Sequence, residues 1–304
     1  VLMPAVFGLW LASRYSWTDL IRLLVLSLGV LAVGSLIMAV AFPAYGVMSE
    51  VHPGAWAGLW EQKNRLGAVM AITTMGGMAA ALTTPYRREV RYWGALVILA
   101  VFLVLMSTSR TGLMACMIGF GGPLMIYCAR QGFIWAALAV FSGLLGVFAL
   151  TLVIAIGPGV ILEALGRDPT LTGRTDIWAG LIRAVAERPW TGFGWGVFWL
   201  QEEGPVHWVR QATQWEVPSA HNSWLEIALG LGVPGAALAF GVYLMGLGAS
   251  LKRLFSGVET YWALPGMAIW GLTSMSESVF MTTNGFTWML FCITFSKLCA
   301  RRGS

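Results

Sequence analysis

Apolar runs of membrane-crossing length, or close to it, follow one another along this chain at 20–42, 65–83, 92–107, 111–127, 132–156, 222–250, 261–276 and 285–299, after a partial run at 1–12. Crossing about 30 Å of hydrocarbon takes about 20 predominantly apolar residues. In lipid every backbone N–H and C=O needs a partner within the protein, which leaves helices as the solution for runs of this length. The expected fold is therefore all-α: a polytopic integral membrane helix bundle of about nine spans, one domain over 1–304. Only 11% of the residues are charged, against roughly a quarter in soluble domains, too few to cover a soluble fold. Val1 is not Met, and 1–12 reads as the end of an apolar helix. The chain is thus expected to begin inside a longer protein.

Nine crossings alternate sides, and the charges sort accordingly. One set of loops holds Arg14, Arg22, Arg87, Arg88, Arg91, Arg130, Lys252, Arg253, Lys297, Arg301 and Arg302 against Asp19, Glu89 and Glu259, a surplus of eight positive charges. The other side holds eight bases against eleven acids. Short basic loops stay on the cytoplasmic side, so the second face is read as the outer, working face. The net charge of +5 then needs no nucleic-acid partner; membrane lipids are the surroundings expected.

The working face carries the loop 43–64, the tight turn at Ser107–Thr111, the segment 157–221 and the loop around Glu277. A structureless loop as long as 157–221 is unusual and a favoured place for function. Within it, Ile177, Trp178, Leu181, Ile182 and Val185 recur at helical spacing over Thr175–Arg188, and Pro189 ends the pattern. This amphipathic helix is expected to lie along the membrane surface, Trp side down.

Several catalytic devices are missing. There is no DxD pair, no phosphate-binding GxxxxGK[ST] loop and no HExxH. The four cysteines lie in or beside apolar runs, which supports neither a disulfide framework nor a metal site. Gly192-Phe-Gly-Trp-Gly196 follows a helix and Pro189 rather than a strand, so it reads as a turn packing against the bilayer. No metal and no cofactor is expected. What remains is a set of cations and one histidine. Arg110, in Ser107-Thr-Ser-Arg-Thr-Gly112, lies near lipid depth, where a guanidinium needs a partner, a water-filled cavity or a route to the interface. Arg174 opens the amphipathic helix, where its guanidinium and the first amides can hold an anion, or where it can pair with Asp176. Lys63 and Arg65 flank Asn64 at the start of a span, a common position for interface anchors. His221, in Ser219-Ala-His-Asn-Ser-Trp224, can serve as a general base or cap the next helix together with Asn222. Glu226 lies about 140° round an ideal helix from His221, too far to orient its imidazole directly.

Together, Trp60-Glu-Gln-Lys-Asn-Arg-Leu-Gly67, Ser109-Arg-Thr-Gly112, Gly173-Arg-Thr-Asp-Ile-Trp178 with Pro189-Trp-Thr-Gly-Phe-Gly194, and Ala220-His-Asn-Ser-Trp-Leu-Glu226 with Gly232-Val-Pro-Gly235 resemble, in their order, the O-antigen ligase and polysaccharide polymerase superfamily of bacterial membrane glycosyltransferases. The Lys-Asn-x-Leu-Gly form and the Ser276-Glu-Ser…Asn284 region look most like its exopolysaccharide-polymerase branch. The resemblance implies transfer of a glycan from an undecaprenyl diphosphate carrier to an acceptor hydroxyl, on a lipid A core or a growing polysaccharide, at the periplasmic face of the bacterial inner membrane. Carried over by residue, Arg110 and Arg174 would engage the diphosphate and His221 would activate the acceptor. Lys63, Asn64, Arg65 and Asn222 would bind substrate. The rival class is a secondary transporter or flippase, which predicts an internal repeat and helices broken near mid-bilayer.

Overall fold

A computed structural model describes residues 1–50, 52–138, 141–143, 145, 174–201, 203–213, 217–283 and 285–300, with 174–176, 212 and 213 described by their backbone alone. Helices follow in chain order: α1 (Leu2–Arg14), α2 (Trp17–Ala41), α3 (Lys63–Thr83), α4 (Arg87–Ser107), α5 (Arg110–Ala129), α6 (Arg174–Glu187), α7 (Pro205–Thr213), α8 (Ser223–Lys252), α9 (Thr260–Ser276) and α10 (Phe286–Cys299). Among the described residues no strand occurs, only an isolated bridge between Val47 and Trp56. The all-α membrane bundle stands: α2, α3, α4, α5 and α8 are long and apolar enough to cross a bilayer, while α1 and α10 are shorter apolar helices. The expected span at 132–156 lies mostly outside the described residues. The chain divides into two units, one of 1–131, 245–273 and 282–304, the other of 132–244 and 274–281.

In the first unit, α3 is the buried helix, because its sequence is small where neighbours press closest. A Cβ on Gly76 would meet Val25 at 2.7 Å, and one on Gly77 would meet Val97 at 2.7 Å. Along the crossing with α5, Gly67 faces Gly112, and a Cβ on Gly119 would meet the Ala71 carbonyl at 2.6 Å. Small residues at such spacing let membrane helices approach backbone to backbone. That contact sets the starts of α3 and α5 side by side.

At the opposite end of this unit, basic side chains take up carbonyls that helix termini leave unpaired. Arg130 reaches Leu254 O, Gly257 O and Thr260 Oγ1 at 3.1–3.2 Å, with its guanidinium over the Tyr261 ring. Arg253 donates to Leu298 O at 2.7 Å and Lys297 to Ala12 O at 3.0 Å. Arg22 pairs with Glu89 at 2.9 Å. Arg130→Met keeps the apolar stem but strands two carbonyls. It should lower stability by about 1–3 kcal/mol, read as a lower Tm of the purified chain in detergent; an unchanged Tm would deny Arg130 this role.

The second unit corrects two expectations. Helix α6 forms within a residue of its expected bounds, but its apolar face meets protein rather than lipid. Ile177, Leu181 and Ala184 pack with Val206 and Val209 of α7 and with Phe193, Phe198, Val217, Ala220 and Leu229 in a core of their own. Gly180 admits α7, since a Cβ there would lie 2.9 Å from Val209 Cγ2. Trp178 points into this core and donates from Nε1 to Ala220 O at 2.9 Å. The segment's apolar residues are satisfied by one another, so the Trp face has no need of a membrane surface.

The second correction concerns the run at 222–250, expected as one span. Helix α8 is broken at Gly232, which sits at φ 73°, ψ 179°. In a continuous helix Trp224 and Phe240 would stand about 24 Å apart along the axis. Instead the Trp224 ring lies 5.2 Å from Phe240 and 5.8 Å from Tyr243. The chain therefore doubles back: a short arm, 223–231, lies against a long arm, 233–252. Only the long arm has spanning length. Pro189–Gly194 seals the break, with Phe193 N donating to Leu229 O (2.7 Å), Gly194 N to Gly230 O (3.1 Å) and Val233 N to Pro189 O (2.7 Å). The glycine-rich turn expected to face the bilayer thus caps a broken helix.

Candidate functional site

The first unit gathers four of the sequence-selected residues at the adjoining starts of α3 and α5. Ser109 is the N-cap of α5; its Oγ accepts from Gly112 N (3.1 Å) and donates to Asn64 Oδ1 (3.0 Å). Asn64 thereby ties the first turn of α3 to that cap. Arg110 follows the cap and is exposed. Lys63 opens α3, its Nζ 3.5 Å from Thr108 Oγ1, within electrostatic reach of the Arg110 guanidinium. Among the described residues, neither Lys63 nor Arg110 pairs with an acid. Two cations at two helix N-termini, each end already carrying partial positive charge, make this corner suited to an anion. His52 lies nearby, and partial burial, then the Lys63 charge, hold its imidazole below the ordinary histidine value. Arg65 differs: it faces Glu61 at 3.8 Å with both side chains mostly in solvent, a pair worth little.

The second unit builds a turn around His221. Ala220 on one side is fully buried, its O held by Trp178 Nε1 and its N by Glu226 Oε2 at 2.7 Å. On the other side Asn222 caps α8, with Oδ1 accepting from Trp224 N (3.0 Å) and Leu225 N (3.2 Å), while its Nδ2 donates to Met275 O (3.3 Å). Both ends of the Asn222 amide are engaged within the protein, so the geometry gives it a capping role rather than a free face for substrate. Ser223 Oγ donates to Glu277 O and accepts from Val279 N and Phe280 N. This stitches 277–280 beside the turn.

Between these clamps His221 adopts φ 47°, a left-handed conformation that residues with a Cβ seldom take. Its Nδ1 lies 3.3 Å from Glu277 Oε2, with both side chains about one-sixth exposed. Beside an ionised carboxylate, which only accepts, the Nδ1–H tautomer of a neutral imidazole satisfies this contact and leaves the Nε2 lone pair able to take a proton. This is the arrangement by which a carboxylate can orient a histidine base. Arg174 opens α6 one helical turn before Trp178, whose indole is bonded beside His221; the Arg174 side chain lies outside the described residues.

Two carboxylates do more in the structure than the sequence reading gives them. Glu277 stands 56 residues from His221, and no local spacing joins them. The available signal was that Ser276-Glu-Ser ends an apolar run on the same face as the histidine. Glu226 was set aside for its angle, and its carboxylate indeed goes to backbone and indole partners.

Residues 95–240, which contain Arg110, Arg174 and His221, match the protein family described as O-antigen ligase. The chain is also similar to the exopolysaccharide production protein ExoQ of Rhizobium meliloti (strain 1021), 27% identical over 217 residues that cover 66% of this chain and 48% of that protein. It thus spans about half the length of the curated relative it matches. The ordered motifs, the helical membrane architecture and these two matches agree in supporting an O-antigen ligase and polysaccharide polymerase type of protein, to which this chain is similar.

Proposed function

We propose that this chain is a membrane glycosyltransferase that moves a glycan from undecaprenyl diphosphate to an acceptor hydroxyl at the periplasmic face of the bacterial inner membrane. The observation that carries the reading is the His221–Glu277 pair on a turn pinned from both sides, inside the segment that matches the family. In the reaction His221 Nε2 takes the acceptor proton as the hydroxyl oxygen bonds to the anomeric carbon. The bond from that carbon to the diphosphate oxygen breaks, and its electron pair leaves with undecaprenyl diphosphate. Arg110 and Arg174 stabilise the charge that builds on the diphosphate, as guanidinium forks can without a metal. Lys63 adds to the positive corner on α3. The similarity to an exopolysaccharide production protein favours a growing polysaccharide as acceptor over a lipid A core. A flippase or transporter would instead gather its ionisable groups inside the bundle near mid-bilayer, whereas Lys63 and Arg110 stand at helix starts and His221 just before one.

Products from cells lacking the protein test the assignment. A polymerase leaves short unpolymerised lipid-linked units, whereas a ligase leaves full-length but unattached polymer. Replacing Arg110, Arg174 and His221 singly, at unchanged protein level, should abolish transfer in each case; normal product from all three variants would defeat the reading. A reporter enzyme fused near Gly204 should report a periplasmic position, and a cytoplasmic signal would invert the map.

A further inference from the structure

Glu226 receives three donors from three separate segments: Trp199 Nε1 on Oε1 at 2.6 Å, and Ala220 N at 2.7 Å and Ser278 Oγ at 3.2 Å on Oε2. In an ordinary capping box an N3 carboxylate reaches back to the cap residue's own N–H. Here the fourth residue beyond the cap, Asn222, reaches back to Ala220, two residues before it. With Trp178 on Ala220 O, both backbone polar atoms of the residue preceding His221 are held by side chains. His221 itself sits at φ 47°, a conformation that persists only where the surroundings over-determine it. Were the Ala220 amide released, the turn could relax to an ordinary conformation and carry the imidazole away from Glu277.

We propose that Glu226 is the positioning residue of this centre, fixing through the Ala220 amide the left-handed turn that aims His221 at Glu277. The inference rests on the reading of His221 as the base. Glu226 touches no reacting atom; it acts through the backbone. Glu226→Leu is the sharp variant, because it is close in size and offers no acceptor, so the Ala220 N–H is released; a Gln could turn its amide oxygen to Ala220 N and keep that bond.

The test reads transfer by the full chain in nanodiscs, with lipid-linked glycan extracted from cells lacking the protein as donor. Glu226→Leu should lower kcat by at least about tenfold, with KM for the donor changed less than about threefold. Trp199→Phe, which leaves the Ala220 bond in place, should lose less than about threefold by the same comparison. Adding Glu226→Leu to Glu277→Gln should lower kcat by no more than about twofold further, since both act on one imidazole. Losses that multiply, as an unrelated structural defect would give, overturn the proposal, and so does a wild-type kcat for Glu226→Leu. Should Glu226→Leu fail to accumulate, Glu226→Asp keeps both oxygens one methylene short and should show an intermediate loss with the same non-additivity. His221→Asn is run alongside. Wild-type transfer by that variant defeats the base reading itself, whereas its loss beside an active Glu226→Leu defeats only the role of Glu226.

Discussion

His221→Asn should lower the rate of glycan transfer by about 10²–10⁴-fold, equivalent to roughly 3–5 kcal/mol of transition-state stabilisation. Asn is the informative choice, because it tolerates the left-handed backbone that His221 adopts, whereas Ala would add strain to the loss of the base. The variant should therefore keep the wild-type Tm while losing kcat. Glu277→Gln should fall between the two, since a neutral amide still touches the ring but no longer balances the imidazolium formed as the proton arrives. Single-turnover transfer with a lipid-linked donor separates these effects from donor binding. A rate within about threefold of wild type for His221→Asn would remove the histidine from the chemistry.

The second large effect is on folding. Gly232→Ala puts a Cβ 2.6 Å from Trp190 C and O and 2.7 Å from Pro189 O, all backbone atoms that no side-chain rotation can move aside. It also forces φ 73°, ψ 179° on a residue type that does not adopt it, a strain of order 1–3 kcal/mol before the clash is counted. Relief requires the Pro189–Gly194 segment to lift away, which strands Leu229 O, Gly230 O and Val233 N together. Each stranded polar group adds about 1–3 kcal/mol where water cannot reach it. Total loss of folded protein is the expected result, read as aggregation on detergent extraction and protease sensitivity in membranes. Gly241→Ala, farther along the same arm, where an added Cβ would meet nothing within 4 Å, should leave folding intact.

How far the sequence carries depends on the range over which each feature is decided. The apolar runs are local, and the cores of α2, α3, α4 and α5 fall within them. Periodicity together with Pro189 located α6 to within a residue. The pairing of Lys63 and Asn64 with the Ser109–Arg110 cap follows from Gly67 facing Gly112, which motif order suggested without giving the contact. The doubling back of α8 was not readable, because the run around Gly232-Val-Pro-Gly235 is apolar throughout and its reversal depends on Pro189–Gly194, some 40 residues earlier. For the same reason α6 was set on the membrane: its covering residues, Val206 and Val209, belong to a later helix. Glu277 and Glu226 were hidden in the same way, one by distance along the chain and the other by acting through a backbone amide.

The two arms of α8 also work as a ruler. Trp224 meets Phe240 and Tyr243 because the arms between them have matched lengths about Gly232, and His221 lies just before the start of the short arm. Each residue added to or removed from either arm would slide the histidine turn about 1.5 Å along its neighbour and rotate it by about 100°. The length of this stretch is thus as fixed as Glu226 and Gly232 are: a single-residue insertion between 227 and 231 or between 233 and 239 would leave His221 and Glu277 both present and out of register with one another.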